Sequence, residues 1–206
     1  MRKVIMIVVA LVALSIARPH VRKLLDLEHN RFVAAASLGG SAGTESGGSD
    51  HFSPEENLEQ IDIAALRQAR HTVDVAMFAF TDRNLAEVLN QLAAGIAKIR
   101  VYRDRGQYEE EEQRAARFAE FSTSQMFRGH VNIAIRVKQG SERNPMHLKA
   151  YCIDHRVLRD GSANWSPGGE KSQDNNARFT SDPQQIAAFE RVFEAMWNRT
   201  NNRIIQ

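Results

Sequence analysis

The chain is poor in the residues that build covalent or metal cross-links. Its single cysteine, Cys152, excludes an intrachain disulfide and any cysteine-rich zinc site. None of the 7 histidines forms an H-x-H or H-x3-H pair, so no metal is expected, and no cofactor either. An excess of one charge is also missing. The 27 Lys and Arg against 25 Asp and Glu leave a net charge of +2, which by itself assigns no polyanionic partner. No apolar run reaches the ~20 residues that a spanning helix prefers, and no repeat of solenoid period is present. What remains is 43% hydrophobic and 25% charged residues, the balance of an ordinary globular protein. A chain of 206 residues suits one domain plus appendages.

The appendages are at the start. Met1-Arg2-Lys3 is basic, and Val4 to Ala17 is apolar apart from Ser15, before Arg18-Pro19 ends the run. A basic start followed by a short apolar core is the pattern of an export signal. Residues 1–20 are therefore expected to be a signal peptide or an N-terminal membrane anchor. The catalytic part would then be periplasmic or secreted, or anchored to the membrane by residues 4–17. Residues 21–53 form a juxtamembrane stretch and then a linker. The part from Ser37 to Ser53 reads SLGGSAGTESGGSDHFS and has a flexible, Gly/Ser-rich composition. The folded domain is expected at 54–206.

Within that domain, Ser53 is a candidate N-cap for a helix opening at Pro54-Glu55-Glu56. TVDVAMFAF, Thr72 to Phe80, is apolar at nearly every position and predicts a strand covered on both sides. A helix at Asn84–Ala94, a strand at Ile99–Tyr102, a long helix at Glu109–Met126 and a strand at Val131–Val137 follow. A hairpin is predicted from Leu148–Ile153 and Val157–Leu158 around Asp154-His155. One more strand, Ala177–Thr180, precedes a closing helix, Pro183–Asn198, with Ile186, Phe189, Val192, Phe193, Met196 and Trp197 facing inward. The pattern indicates an α/β fold: a mixed β-sheet sandwiched by helices.

The chemistry concentrates in two segments. In His147-Leu148-Lys149-Ala150-Tyr151-Cys152-Ile153-Asp154, the spacing is H-x-K-x4-D. Residues two apart on a strand share a face, so His147 and Lys149 lie roughly 6.6 Å apart along it. That separation suits two groups holding one phosphate. Asp154 has the opposite parity and falls at the turn, so its role should differ. Downstream, Gly161-Ser162-Ala163-Asn164 offers a glycine for close backbone approach to a ligand, plus a hydroxyl and an amide that can donate to phosphoryl oxygens. Taken singly, His147 and Lys149 are ordinary surface residues; their joint placement lifts them. Cys152 reads as a core thiol, Tyr151 and Trp165 as packing, and Glu109 to Glu112 as the acidic first turn of a helix.

H-x-K-x4-D followed by G-S-x-N resembles the signature of the phospholipase D superfamily, and HLKAYCID and GSANWS fit it without a gap. The upstream VDVAMFAFT and IRVYRD segments are similar to the first βαβ unit of the small single-motif, endonuclease-like bacterial members. The resemblance implies a phospholipase D-like fold with one motif per chain. It also implies a metal-independent phosphodiesterase in which His147 attacks phosphorus to form a phosphohistidine. Lys149 would neutralise the equatorial oxygens, with Ser162 and Asn164 adding hydrogen bonds; Asp154 completes the motif. A second histidine from another copy would protonate the leaving oxygen, so a homodimer sharing one active site is expected. One position departs from the family. Asn175 stands where a carboxylate that orients the histidine is usual, so either Asp174 takes that role or Asn175 holds the ring through its amide oxygen.

Arg100, Arg103, Arg105, Arg136, Lys138, Arg143, Arg156 and Arg159 lie in or near the segments leading into the motif. They favour a polynucleotide, cleaved without sequence preference, over the alternative of a membrane phospholipid. The intact motif speaks against a third reading, an inactive nucleic-acid-binding module.

Overall fold

The computed structural model describes residues 48–205 except 96 and 142. The apolar run 4–17, the juxtamembrane stretch and the linker up to residue 47 lie outside the described residues.

The described strands form one sheet of eight, in the order β1-β7-β6-β5-β2-β3-β4-β8. The strands are β1 Gly48–Ser53, β2 Thr72–Met77, β3 Lys98–Arg103, β4 Ile133–Val137, β5 Lys149–Ile153, β6 Val157–Gly161, β7 Asn175–Thr180 and β8 Arg203–Ile205. The helices are α1 Leu58–Leu66, α2 Arg83–Ala94, α3 Arg105–Phe118, α4 Thr123–Phe127, α5 Pro167–Lys171 and α6 Pro183–Trp197. β2, β3 and β4 run parallel, and every other pairing is antiparallel.

The strand β2 shows why the sheet has two covered faces. Its alternate residues enter two separate cores. Val73, Val75 and Met77 pack with Leu58, Leu66, Leu85 and Leu89 of α1 and α2. Ala76, with Cys152 and Leu158, packs against Ile186, Phe189, Phe193, Met196 and Trp197 of α6. The inward charge Asp74 is matched by its cross-strand partner Arg100 in a two-pronged pair, both contacts at 2.6 Å. Val192 is half exposed, so it lies at the edge of the buried stripe and not within it.

Three elements differ from expectation. The linker ends before Ser53, because residues 48–53 pair along the whole of β7 as an edge strand, and His51 and Ser53 are buried there. Ser53 is thus not a helix cap; Asn57 is, accepting from the backbone N–H of Gln60. The long helix expected at Glu109–Met126 is two helices. It starts early, at the Asp104 cap, and breaks at Ala119, which adopts a left-handed φ of 53°. Glu111, far from being an acidic first-turn residue, turns inward and accepts from Thr123 N (2.5 Å), Thr123 Oγ1 (2.8 Å) and buried Arg103 (2.6 Å). α5 is short but signalled: Ser166 caps it and Pro167 occupies its first turn, where the missing N–H costs nothing.

Candidate active site

The carboxyl ends of β2, β3 and β4, the start of β5, the end of β6 and the start of β7 all lie at one end of the sheet. In open α/β sheets that is the end where ligands collect. The exit of β2 ties the two motif segments together: Phe78 N–H donates to Leu148 O (2.8 Å), and Ala79 N–H donates to Asn164 Oδ1 (3.2 Å).

His147 is exposed just before β5, and Lys149, the first residue of β5, is buried opposite Met77. The Lys149 Nζ lies 3.2 Å from both ring nitrogens of His147 and 3.0 Å from its carbonyl oxygen. Phe78 backs both groups, its ring 4.6 Å from the imidazole and 4.7 Å from the ammonium. Burial holds the Lys149 pKa below the ordinary lysine value. The Nζ is equidistant from the two ring nitrogens, so the cation lies against the ring as a whole. The pair therefore places a cation directly beside the imidazole at this end of the sheet.

Ser162 and Asn164 come to the same end by different means. Ser162 Oγ donates to Asn175 Oδ1 (3.0 Å) and accepts from Asn176 N–H (2.9 Å). The Asn164 amide oxygen is fixed by Ala79, so its Nδ2 is the donating end. Asn175 is not the orienting group expected at that position. Its oxygen receives Ser162, and its Nδ2 donates to Gly169 O (3.0 Å) and Gln173 Oε1 (3.3 Å). Asp174 is exposed, and among the described residues neither it nor Asn175 hydrogen-bonds His147. The glycine Gly161 serves the sheet instead of a ligand, since a Cβ there would stand 2.2 Å from Asn176 O. Gly169 is needed for the same reason: a Cβ would meet Asn164 O at 2.6 Å, beneath the motif loop.

Asp154 is not brought to this site. It ends β5 roughly 16 Å away along the strand, in a left-handed conformation. Its carboxylate accepts the backbone N–H groups of Arg70, His71 and Thr72, each at 2.8 Å. Burial alone would raise its pKa, but these three amides outweigh burial and hold it below the usual carboxylate value. Cys152 is the core thiol expected, with its pKa pushed up to about 12 by burial.

The basic residues mostly turn inward. Arg100 is held by Asp74 and Glu194 and stacks over Phe193 and Trp197. Arg103 is buried on Glu111, Arg136 lies over Trp197 and donates to its carbonyl, and Arg159 is fully buried. Arg156 follows the turn at the far end of the sheet. Arg105 and Lys138 remain at the motif end, lining a cavity of about 220 Å³ together with Phe78, whose ring also contacts His147; Arg143 is exposed in the same loop as Lys138. Sequence reasoning had passed over Phe78, for which periodicity carries no signal. It had also misassigned Arg159, although a charge at an inward strand position was visible.

A family profile described as "Cardiolipin synthase, PLD-like domain" matches residues 63–197. Two curated relatives are mitochondrial cardiolipin hydrolases. That of Chlamydomonas reinhardtii is 26% identical over 133 residues, covering 65% of this chain and 54% of the relative. That of Homo sapiens is 27% identical over 140 residues, covering 68% and 50%. The chain thus spans about half the length of the curated relatives it matches. Among solved structures, NucT from Helicobacter pylori superposes with a TM-score of 0.65 at 23% identity, covering 74% of this chain and 96% of that one. The phospholipase D family member Nuc from Salmonella typhimurium gives 0.61 at 17% identity, covering 78% and 98%. At these identities the structural likeness is one of fold.

Proposed function

Because the chain belongs to the phospholipase D-like family, we propose that it is a metal-independent phosphodiesterase with His147 as nucleophile. The contact of buried Lys149 with the His147 ring, at the sheet end where the Ser162–Asn164 loop converges, carries this reading. A His147 ring nitrogen attacks phosphorus, and the phosphorus–oxygen bond to the leaving alkoxide breaks. Lys149 offsets the charge building on the equatorial oxygens, aided by the Asn164 amide. The alkoxide takes its proton from the His147 of a second copy in a homodimer. Water then attacks the phosphohistidine and gives a proton to that second histidine; the phosphorus–nitrogen bond breaks, and phosphomonoester leaves with both histidines restored. The test is hydrolysis of bis(p-nitrophenyl) phosphate in excess EDTA. Activity lost in EDTA and restored by a divalent ion would refute the metal-independent mechanism. Light scattering on the active protein tests the homodimer; a fully active monomer defeats it. Export through residues 1–20 is tested by fusing them to a reporter that works only outside the cytoplasm.

For substrate, a polynucleotide is the first reading. The cavity lined by Phe78 and Lys138 is smaller than the ~300–1,000 Å³ of pockets that enclose whole drug-sized ligands. Lys138 and exposed Arg143 place cations at that end of the sheet for the neighbouring phosphates of a polynucleotide. Membrane phospholipid is the second reading, favoured by the relatives named as cardiolipin hydrolases. Rates on single-stranded DNA, duplex DNA, RNA and cardiolipin vesicles at matched phosphate and two ionic strengths separate them. Nucleic-acid rates should fall steeply with salt; faster cleavage of lipid than of every nucleic acid reverses the order.

A further inference from the structure

A fully buried guanidinium lies beneath the two motif segments. Arg159 sits on β6 between its pairing partners Tyr151 and Phe179, and has no solvent exposure. All five of its N–H donors are used. Nη1 donates to the carbonyl oxygens of Lys149 (3.1 Å) and Ala163 (3.2 Å). Nε donates to Asp62 Oδ1 (3.2 Å), while Nη2 reaches Asp62 Oδ2 (3.0 Å) and Glu170 Oε1 (3.4 Å). Asp62 also receives the Tyr151 hydroxyl (2.9 Å) and the Trp165 indole N–H (2.9 Å). Trp165 O in turn accepts from Thr81 and Asp82 N–H, at 2.7 and 2.9 Å.

We propose that Arg159 is a positioning residue for the phosphodiester reaction: its Nη1 joins the carbonyl of Lys149 to that of Ala163 and so fixes the histidine–lysine strand relative to the serine–asparagine loop. The inference rests on the reading of His147 and Lys149 as the reacting pair. Lys149 is the phosphate-facing cation of that pair, and Ala163 lies between the two donors Ser162 and Asn164. One planar fork therefore sets the distance between the groups that must close on a single phosphoryl centre. A buried ion pair contributes little stability over apolar residues of the same volume, so stability alone does not account for it. Burial keeps Glu170 protonated, with a pKa pushed up to about 9, so Asp62 is the principal acid facing Arg159.

The decisive protein is the double variant Asp62→Leu with Arg159→Met, made in the full chain. It removes both charges together and so avoids stranding either one in the core. Arg159→Lys is the companion, keeping the charge and losing the fork. With bis(p-nitrophenyl) phosphate, both should keep KM within about threefold and lose about 100-fold in kcat, the loss produced by roughly 1 Å of misplacement. The kcat is counted per active site, from phosphohistidine trapped in a rapid quench. A folded double variant with wild-type kcat overturns the proposal, and so does a rate loss matched by an equal loss of trappable sites. Orthovanadate binding by calorimetry is independent of turnover: the double variant should bind about tenfold more weakly, and equal affinity overturns the proposal. If the wild type binds vanadate in an Arg159-dependent way yet cleaves no diester, the hydrolase reading falls and the clamp stands. If it neither binds nor cleaves, both fall.

Discussion

The two ends of strand β5 carry residues from one sequence motif and treat them in opposite ways. At the start, Lys149 presses against the His147 imidazole, with burial lowering the lysine pKa. At the finish, Asp154 receives three backbone amides and holds its charge more firmly than a free carboxylate. The first arrangement leaves reactive capacity open to a ligand; the second uses it up on the preceding loop. Residues that travel together in a motif can therefore do separate jobs, and local geometry separates them better than spacing does.

That contrast breaks most easily at its reactive end. His147→Ala should lower the rate on bis(p-nitrophenyl) phosphate by about 10⁴-fold or more with little change in melting temperature, because the imidazole is exposed. A variant retaining a tenth of wild-type activity would remove His147 as nucleophile. Lys149→Ala should lose about 10²–10³-fold. In the wild type, the alkaline fall in rate should begin below the pH at which an ordinary lysine titrates, since the lowered pKa releases the proton early; a pH–rate profile checks this.

At the other end the effect moves from rate to stability. Asp154→Ala should cost about 2 kcal/mol, as expected for several hydrogen bonds to one charge, with kcat per folded molecule unchanged. The sign with pH follows from its lowered folded pKa. Its contribution is present above the unfolded value and fades as pH falls through the folded one. Urea melts at pH 7 and pH 3.5 measure it, and a large kcat loss in the folded variant would return Asp154 to the chemistry.

Glu170 provides the smallest effect and the opposite sign. Its folded pKa of about 9 lies above the unfolded carboxyl value, so the native state holds a proton the unfolded chain has lost. Stability should decline as pH rises from about 4.5 to 9. Glu170→Gln should flatten that decline and raise the melting temperature at pH 8 relative to the wild type. An unchanged pH slope would mean that the acid is ionised in the fold.

Legibility in the sequence followed how local the cause was. The strand β2 was plain because six neighbouring residues carry the whole signal, whereas strand parity did not foresee that His147 lies just before β5 with the Lys149 ammonium against its ring. The break between α3 and α4 was hidden, since it depends on Glu111 reaching Thr123 and Arg103. The basic residues misled for the same reason. Nothing near Arg100 or Arg136 announces that Asp74 and Trp197 will hold them, so charges counted toward a ligand belong to the interior. The turn of Asn175 toward Ser162 was hidden as well, because it depends on the meeting of β6 and β7.

The strand β1 has a practical consequence for anyone shortening this chain. A protein begun at residue 54, where composition suggests the fold starts, would lose six residues of pairing and leave the backbone of β7 bare. An unprotected strand edge recruits other edges, so such a truncation should aggregate or swap strands between molecules. It would do so beside Asn175 and Ser162, and the damage would look like an inactive enzyme.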